Sequence, residues 1–270
     1  MQFNLRIRVL WKSFVVESEK EPYYNRNPLL LISLSTSNPQ YILLYSQARE
    51  LATYLLRIMD FQKIASLYSS SIPPAIQISR TGTLELAGVH FYHHFNGKRD
   101  LILLAGHSSP MGDEYEFEDQ VLSFGERIGV REIVSIGARW TDEPLQPLET
   151  PKVLGFSSDE NGVEELKALG VEIQKEESAY FFANTVIGLA PKYSMRGFKL
   201  SVNHGEPRPH PRTLISFLSV LSKMMRQEVD TKELETSAQE LEKLVRSAGY
   251  EGTQGQTLSS VQQQQGDIYR

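Results

Sequence analysis

Residues 29–34 read Leu-Leu-Leu-Ile-Ser-Leu, a run with almost no polar position. A strand on a sheet with one wet face alternates apolar and polar residues. This run does not alternate, so it reads as a strand covered on both faces. Residues 100–106 (Asp-Leu-Ile-Leu-Leu-Ala-Gly) and 132–137 (Glu-Ile-Val-Ser-Ile-Gly) repeat the pattern, and 152–156 (Lys-Val-Leu-Gly-Phe) give a third central strand. Strands buried twice need helices on both sides. The segments between them supply helical spacing: Leu43, Leu44, Ala48, Leu51, Leu55 and Ile58 within 42–60, and Phe117, Val121, Leu122 and Phe124 within 115–128.

The remaining elements follow the same logic. Residues 5–16 read as one or two strands, and 63–68, 75–78 and 198–202 as further strands. Residues 83–95 alternate through Leu84, Leu86, Val89 and Phe91 and precede Asn96-Gly97, which predicts a hairpin. Helices are predicted over 161–169, stopping at Gly170, over 183–190 and over 213–225. A last helix buries Leu234, Ala238, Leu241 and Val245, with Asp230 as its cap, Glu233 at the capping-box position and Gly249 at its end. Strands alternating with helices, with hairpins among them, predict a three-layer α/β/α sandwich around a mixed sheet. The expected organisation is one α/β/α domain over 1–249, its C-terminal helical part at about 211–249. Residues 250–270 follow as a disordered tail rich in Gly, Gln, Ser and Thr.

Composition narrows the function. Lys and Arg number 28 against 33 Asp and Glu, for a net charge of -5. A mildly acidic chain without a basic run argues against a nucleic-acid or anionic-membrane partner. The chain has no Cys, so thiol nucleophiles, disulfides and thiolate metal sites are excluded. Charges interrupt the first residues, so no signal peptide is expected, and residues 29–34 are too short to span a bilayer. A cytoplasmic location is the expectation.

The stretch LILLAGHSSPMGDEYEFEDQVLSFGERIGVREIVSIGARWT (residues 101–141), with PKVLGFSSDE at 151–160, resembles the proteasome-assembly-chaperone-2 family in its archaeal branch. The later pattern agrees: His210-Pro211, an apolar helix, Val229-Asp230, and an amphipathic helix carrying Leu234. The resemblance implies a phosphorylase/hydrolase-like α/β fold and a non-enzymatic role. It also implies a homo- or hetero-oligomer, here expected to be a homo-oligomer, that binds the α subunits or the α-ring of the 20S proteasome. No Walker-type phosphate loop is present, so no cofactor is expected.

The chain closes on Ile268-Tyr269-Arg270, which looks like the hydrophobic-Tyr-X plug of 20S proteasome activators and assembly factors. Tyr269 would supply a rigid ring and a hydroxyl, Ile268 would fill an apolar notch, and Arg270 would contribute backbone and the terminal carboxylate. The polar stretch of about 16 residues before it would reach roughly 20–25 Å as a flexible tether. One tail binds weakly, and several on one oligomer bind a ring of equivalent pockets with avidity.

Two other readings compete. One is a phosphorylase-like or hydrolase-like enzyme working at the strand ends near His107, Ser108, Arg139 and His204. No G-x-S-x-G elbow supports it. The other is an oligomeric scaffold whose final residues have no function. His90, His93 and His94 read as structural or solvated, since two histidines on one strand face do not complete a zinc site. The acidic cluster Asp113, Glu114, Glu116, Glu118 and Asp119 reads as a solvated helix start that complements the helix dipole.

Overall fold

A computed structural model of the chain describes residues 7–10, 13–17, 27–34, 42–73, 75–78, 80–86, 88–95, 97–106, 108–140, 150–175, 182–204 and 210–247. The predicted tail at 250–270, the Gly249 stop, Asn96 and His107 lie outside these residues.

In chain order the elements are β1 (Ile7–Leu10), β2 (Ser13–Glu17), β3 (Leu29–Leu34), α1 (Ile42–Ile58), β4 (Gln62–Ser69), β5 (Ile76–Ile78), β6 (Leu84–Leu86), β7 (Val89–His94) and β8 (Leu101–Gly106). They continue with α2 (Glu114–Arg127), β9 (Glu132–Trp140), β10 (Val153–Ser157), α3 (Glu160–Ala168), β11 (Glu172–Ile173) and α4 (Phe182–Leu189). A 3₁₀ turn (Ala190–Tyr193) leads to β12 (Arg196–His204), α5 (Pro211–Met225) and α6 (Lys232–Ser247). Among the described residues, ten strands form one sheet in the order β1-β2-β4-β7-β8-β3-β9-β12-β10-β11.

The three apolar runs lie where their composition requires. β8, β3, β9 and β12 run parallel at the centre, with antiparallel strands on both sides. The predicted mixed sheet is therefore observed. Leu29, Leu31, Leu103, Val134, Ile136, Phe198 and Leu200 point to one face, where α1, α5 and Leu234 of α6 cover them. Leu30, Ile32, Ile102, Leu104 and Ile133 point to the other, under α2 and α4. Both faces are dry, which is why these strands carry no alternation.

Local chemistry fixes the helix starts. His210 caps α5: its Nδ1 accepts the Arg212 N–H at 3.1 Å, and Pro211 takes the first helical position, where no N–H is needed. Asp159 caps α3 by accepting the Gly162 N–H at 2.7 Å.

Two expectations are corrected. Helix α6 begins at Lys232, so Glu233 is not a capping-box residue. Asp230 accepts the Lys232 N–H at 3.0 Å, while Glu233 pairs with Arg57 of α1 at 2.8 Å and Tyr54 donates to the Asp230 carbonyl at 2.6 Å. Packing against α1 sets this end. The expected hairpin forms, with β7 antiparallel to β8 and His94 opposite Leu101, but its first arm is β7 alone and not the whole of 83–95. β6 pairs with β5 in a separate two-stranded ribbon, and β7 pairs with β4 and β8. Alternation alone could not reveal the break, because both halves alternate.

Candidate functional site

Of the four residues of the enzyme reading, the structure describes the side chains of Ser108 and Arg139. Ser108 is buried, and its hydroxyl donates to the Ser109 carbonyl at 3.1 Å. Arg139 pairs with Asn203 and His204 with Trp140 in an unbroken parallel register. His107 is outside the described residues.

The three histidines of β7 are structural. His90 Nδ1 lies 2.8 Å from the Ser66 hydroxyl, and His93 Nε2 lies 3.2 Å from Asp100 Oδ2. The His94 ring bonds the Asp60 carbonyl at 2.8 Å and Gln227 Oε1 at 3.2 Å. Among the described residues no three His, Asp or Glu side chains converge as metal ligands.

The acidic start of α2 is only partly solvated, which corrects the expectation for Glu118. That residue is fully buried between α2 and α4 and accepts a hydrogen bond from Thr185 of α4 on Oε1. Its Oε2 has no hydrogen-bond partner. Burial pushes its carboxyl up to about 7, opposed by the Thr185 bond and reinforced by Glu114.

On the same face of the sheet lies a polar patch that the sequence reading missed. Lys199 of β12 pairs with Ser135 of β9, and Ser201 with Gly137 two residues further on. Phe198, Leu200, Val134 and Ile136 turn to the opposite core, so Lys199, Ser201, Ser135 and Gly137 face α4, which packs on both strands. Lys199 is 4% exposed, and burial lowers its amine to about 7. The Ser135 and Ser201 hydroxyls and Asn203 Oδ1 have no hydrogen-bond partner. A Cβ on Gly137 would stand 2.5 Å from Lys199 Nζ, so the glycine makes the space the amine occupies. One signal was available: a lysine within a strand that needs cover on both sides has no solvated face to point to.

The second feature is on the surface. Ile76, Ile78, Leu84 and Leu86 of the β5–β6 ribbon are between 56% and 68% exposed. Ile76 stands opposite Leu86 and Ile78 opposite Leu84, so the four form two aliphatic cross-strand pairs. A lone two-stranded ribbon is marginal in water, and an exposed aliphatic cluster marks a contact surface.

The fold is shared with solved structures of low sequence identity. PbaB of Pyrococcus furiosus, described as an archaeal proteasome activator, superposes with a TM-score of 0.74 at 21% identity. That match covers 89% of this chain and 100% of that one. PbaA of the same organism, an archaeal homolog of proteasome-assembly chaperone, gives 0.65 at 20% identity, covering 87% and 96%. A proteasome-assembly chaperone homologue of Mycobacterium tuberculosis gives 0.69 at 16% identity, covering 83% and 97%. No curated protein sequence matches this chain. The sequence profile of the PAC2 family matches residues 48–248, which is most of the chain and every element from the second half of α1 to the end of α6. This chain therefore belongs to the PAC2 family.

Proposed function

We propose that this protein is an oligomeric proteasome-binding protein, an assembly chaperone or an ATP-independent activator of the 20S particle. Family membership carries the reading. The described surface supports it, since its most exposed aliphatic cluster is a ribbon suited to protein contact. Ile268, Tyr269 and Arg270 are the docking residues in this reading, with the terminal carboxylate paired to a cation between neighbouring α subunits. The β5–β6 ribbon brings copies of the chain together. Its aliphatic pairs carry no charge to select another partner, and two equivalent ribbons related by a twofold axis cover each other.

Deleting Ile268, Tyr269 and Arg270 is expected to abolish co-purification with 20S particles. Retention of full binding after that deletion would exclude the plug. The double variant Ile78→Asp, Leu84→Asp is expected to lower the sedimentation mass to that of a monomer. It would also weaken binding to the α-ring by removing avidity, with each tail intact. An unchanged mass would exclude the ribbon as the contact between copies.

A further inference from the structure

We infer that the polar patch between β9, β12 and α4 is a binding site for a small oxyanion, a carboxylate or phosphate group, held by Lys199 with Ser135 and Ser201. The position is the first argument. In an open α/β sheet, ligands bind beyond the carboxyl ends of the parallel strands. Lys199 extends in that direction: it pairs with Ser135, yet its Nζ lies over Gly137, two residues nearer the end of β9.

The second argument is the unmet hydrogen bonding. Buried polar groups are normally paired. Here two serine hydroxyls are buried without partners, and the lysine amine makes no hydrogen bond or ion pair with the described residues. No carboxylate holds the ammonium, and burial is the one cause of its lowered pKa. The two hydroxyls and the amine together carry a penalty that a ligand with several acceptor atoms would remove.

The third argument is the sign of the site. On β9 the residues facing α4 are Ile133, Ser135, Gly137 and Arg139, and on β12 they are Gly197, Lys199, Ser201 and Asn203. None is acidic, and the hydroxyls and amine can all donate. A donor-rich, acid-free patch selects an anion. Exposure rises along the strands, from buried Ser135 and Lys199 to half-buried Asn203 and exposed Arg139. The patch therefore opens at the Arg139 end, where a guanidinium sits at the mouth. Gly137 lets the amine lie over β9 at this point, where any side chain would push it away.

Titration calorimetry of the full chain with inorganic phosphate and, separately, with acetate tests the site and distinguishes the two ligand sources. Wild-type protein is expected to bind one of them, and Lys199→Met and Gly137→Ala to weaken that binding by at least about tenfold. Lys199→Met removes the charge, and Gly137→Ala keeps the charge but displaces the amine, because the added Cβ would stand 2.5 Å from Nζ. Absence of binding of both anions to the wild type would overturn the inference. So would equal binding by the wild type and both variants, which would place the anion elsewhere. Lys98, Lys223 and Arg226 line a separate groove at the amino end of the sheet that such binding would implicate. Binding to 20S particles uses neither residue, so loss of anion binding leaves the proteasome reading untouched.

Discussion

Replacing Lys199 with methionine is expected to stabilise the protein at pH 7 by several kcal/mol. Lys199 is fully buried on the α4 side of the sheet, and burial lowers its amine from the ordinary 10.5 to about 7. In the unfolded chain the amine is fully charged at neutral pH, whereas in the folded protein it is charged only about half the time at pH 7. The gap between about 7 and 10.5 corresponds to roughly 4–5 kcal/mol at 1.36 kcal/mol per pH unit. Methionine has a similar length and no charge to lose, so it avoids this cost.

The pH dependence gives the sharper test. Between pH 7 and 10.5 the unfolded state binds the proton and the folded state does not. The wild type therefore gains stability as pH rises through that window. The methionine variant lacks this gain, so its advantage is largest near pH 7 and shrinks toward pH 10. Urea unfolding at pH 7 and pH 10 would show it. A variant less stable than the wild type, or one with the same advantage at both pH values, would refute this account of Lys199.

Glu118→Gln is the second large effect, with the opposite sign of pH dependence. The folded carboxyl sits at about 7 against an ordinary 4.5, chiefly through burial. Between those values the folded state holds the proton and the unfolded state releases it. Stability therefore falls as pH rises from 4.5 to 7, by about 3 kcal/mol for a shift of this size. Glutamine keeps an oxygen to accept the Thr185 hydroxyl and has no proton to lose. The variant should match the wild type near pH 4.5 and exceed it by about 2–3 kcal/mol above pH 7. Parallel stability curves for the two proteins across pH 4.5–8 would show that Glu118 does not carry this titration. Taken together, Glu118 and Lys199 place a stability minimum near pH 7, because one loses stability below that point and the other regains it above.

Much of the central architecture was legible before the structure. The runs at 29–34, 100–106 and 132–137 became the parallel centre of the sheet, because a strand covered on both faces has no room for alternation. Ala48, Leu51 and Leu55 of the α1 stripe and the stripes on α2 and α5 pack inward as expected, since the helical period is a property of the local chain, while the side chains of Leu43 and Leu44 lie outside the described residues. His210-Pro211 and Asp159 mark helix starts for reasons that involve only their nearest residues.

Features that depend on distant partners were not legible. Glu233 reads as half of a capping box until Arg57, far away in sequence, lies 2.8 Å from it. Glu118 reads as a solvated acid until α4 closes over it. The alternation of residues 84–94 suits one strand or two, and the choice depends on whether β5 or β8 lies alongside.

Sequence by itself determined the layered α/β class, the dry central strands and most helix faces, because these follow from hydrophobic periodicity within one segment. It also supplied the family resemblance and the Ile268-Tyr269-Arg270 end on which the proposed docking rests. Only the tertiary structure decided that Lys199, Ser135, Ser201 and Gly137 come together in a buried patch, and that the chain's own fold leaves four aliphatic side chains of the ribbon uncovered. Both results come from strand pairing across long sequence separations, and a local pattern carries no information about which strands become neighbours.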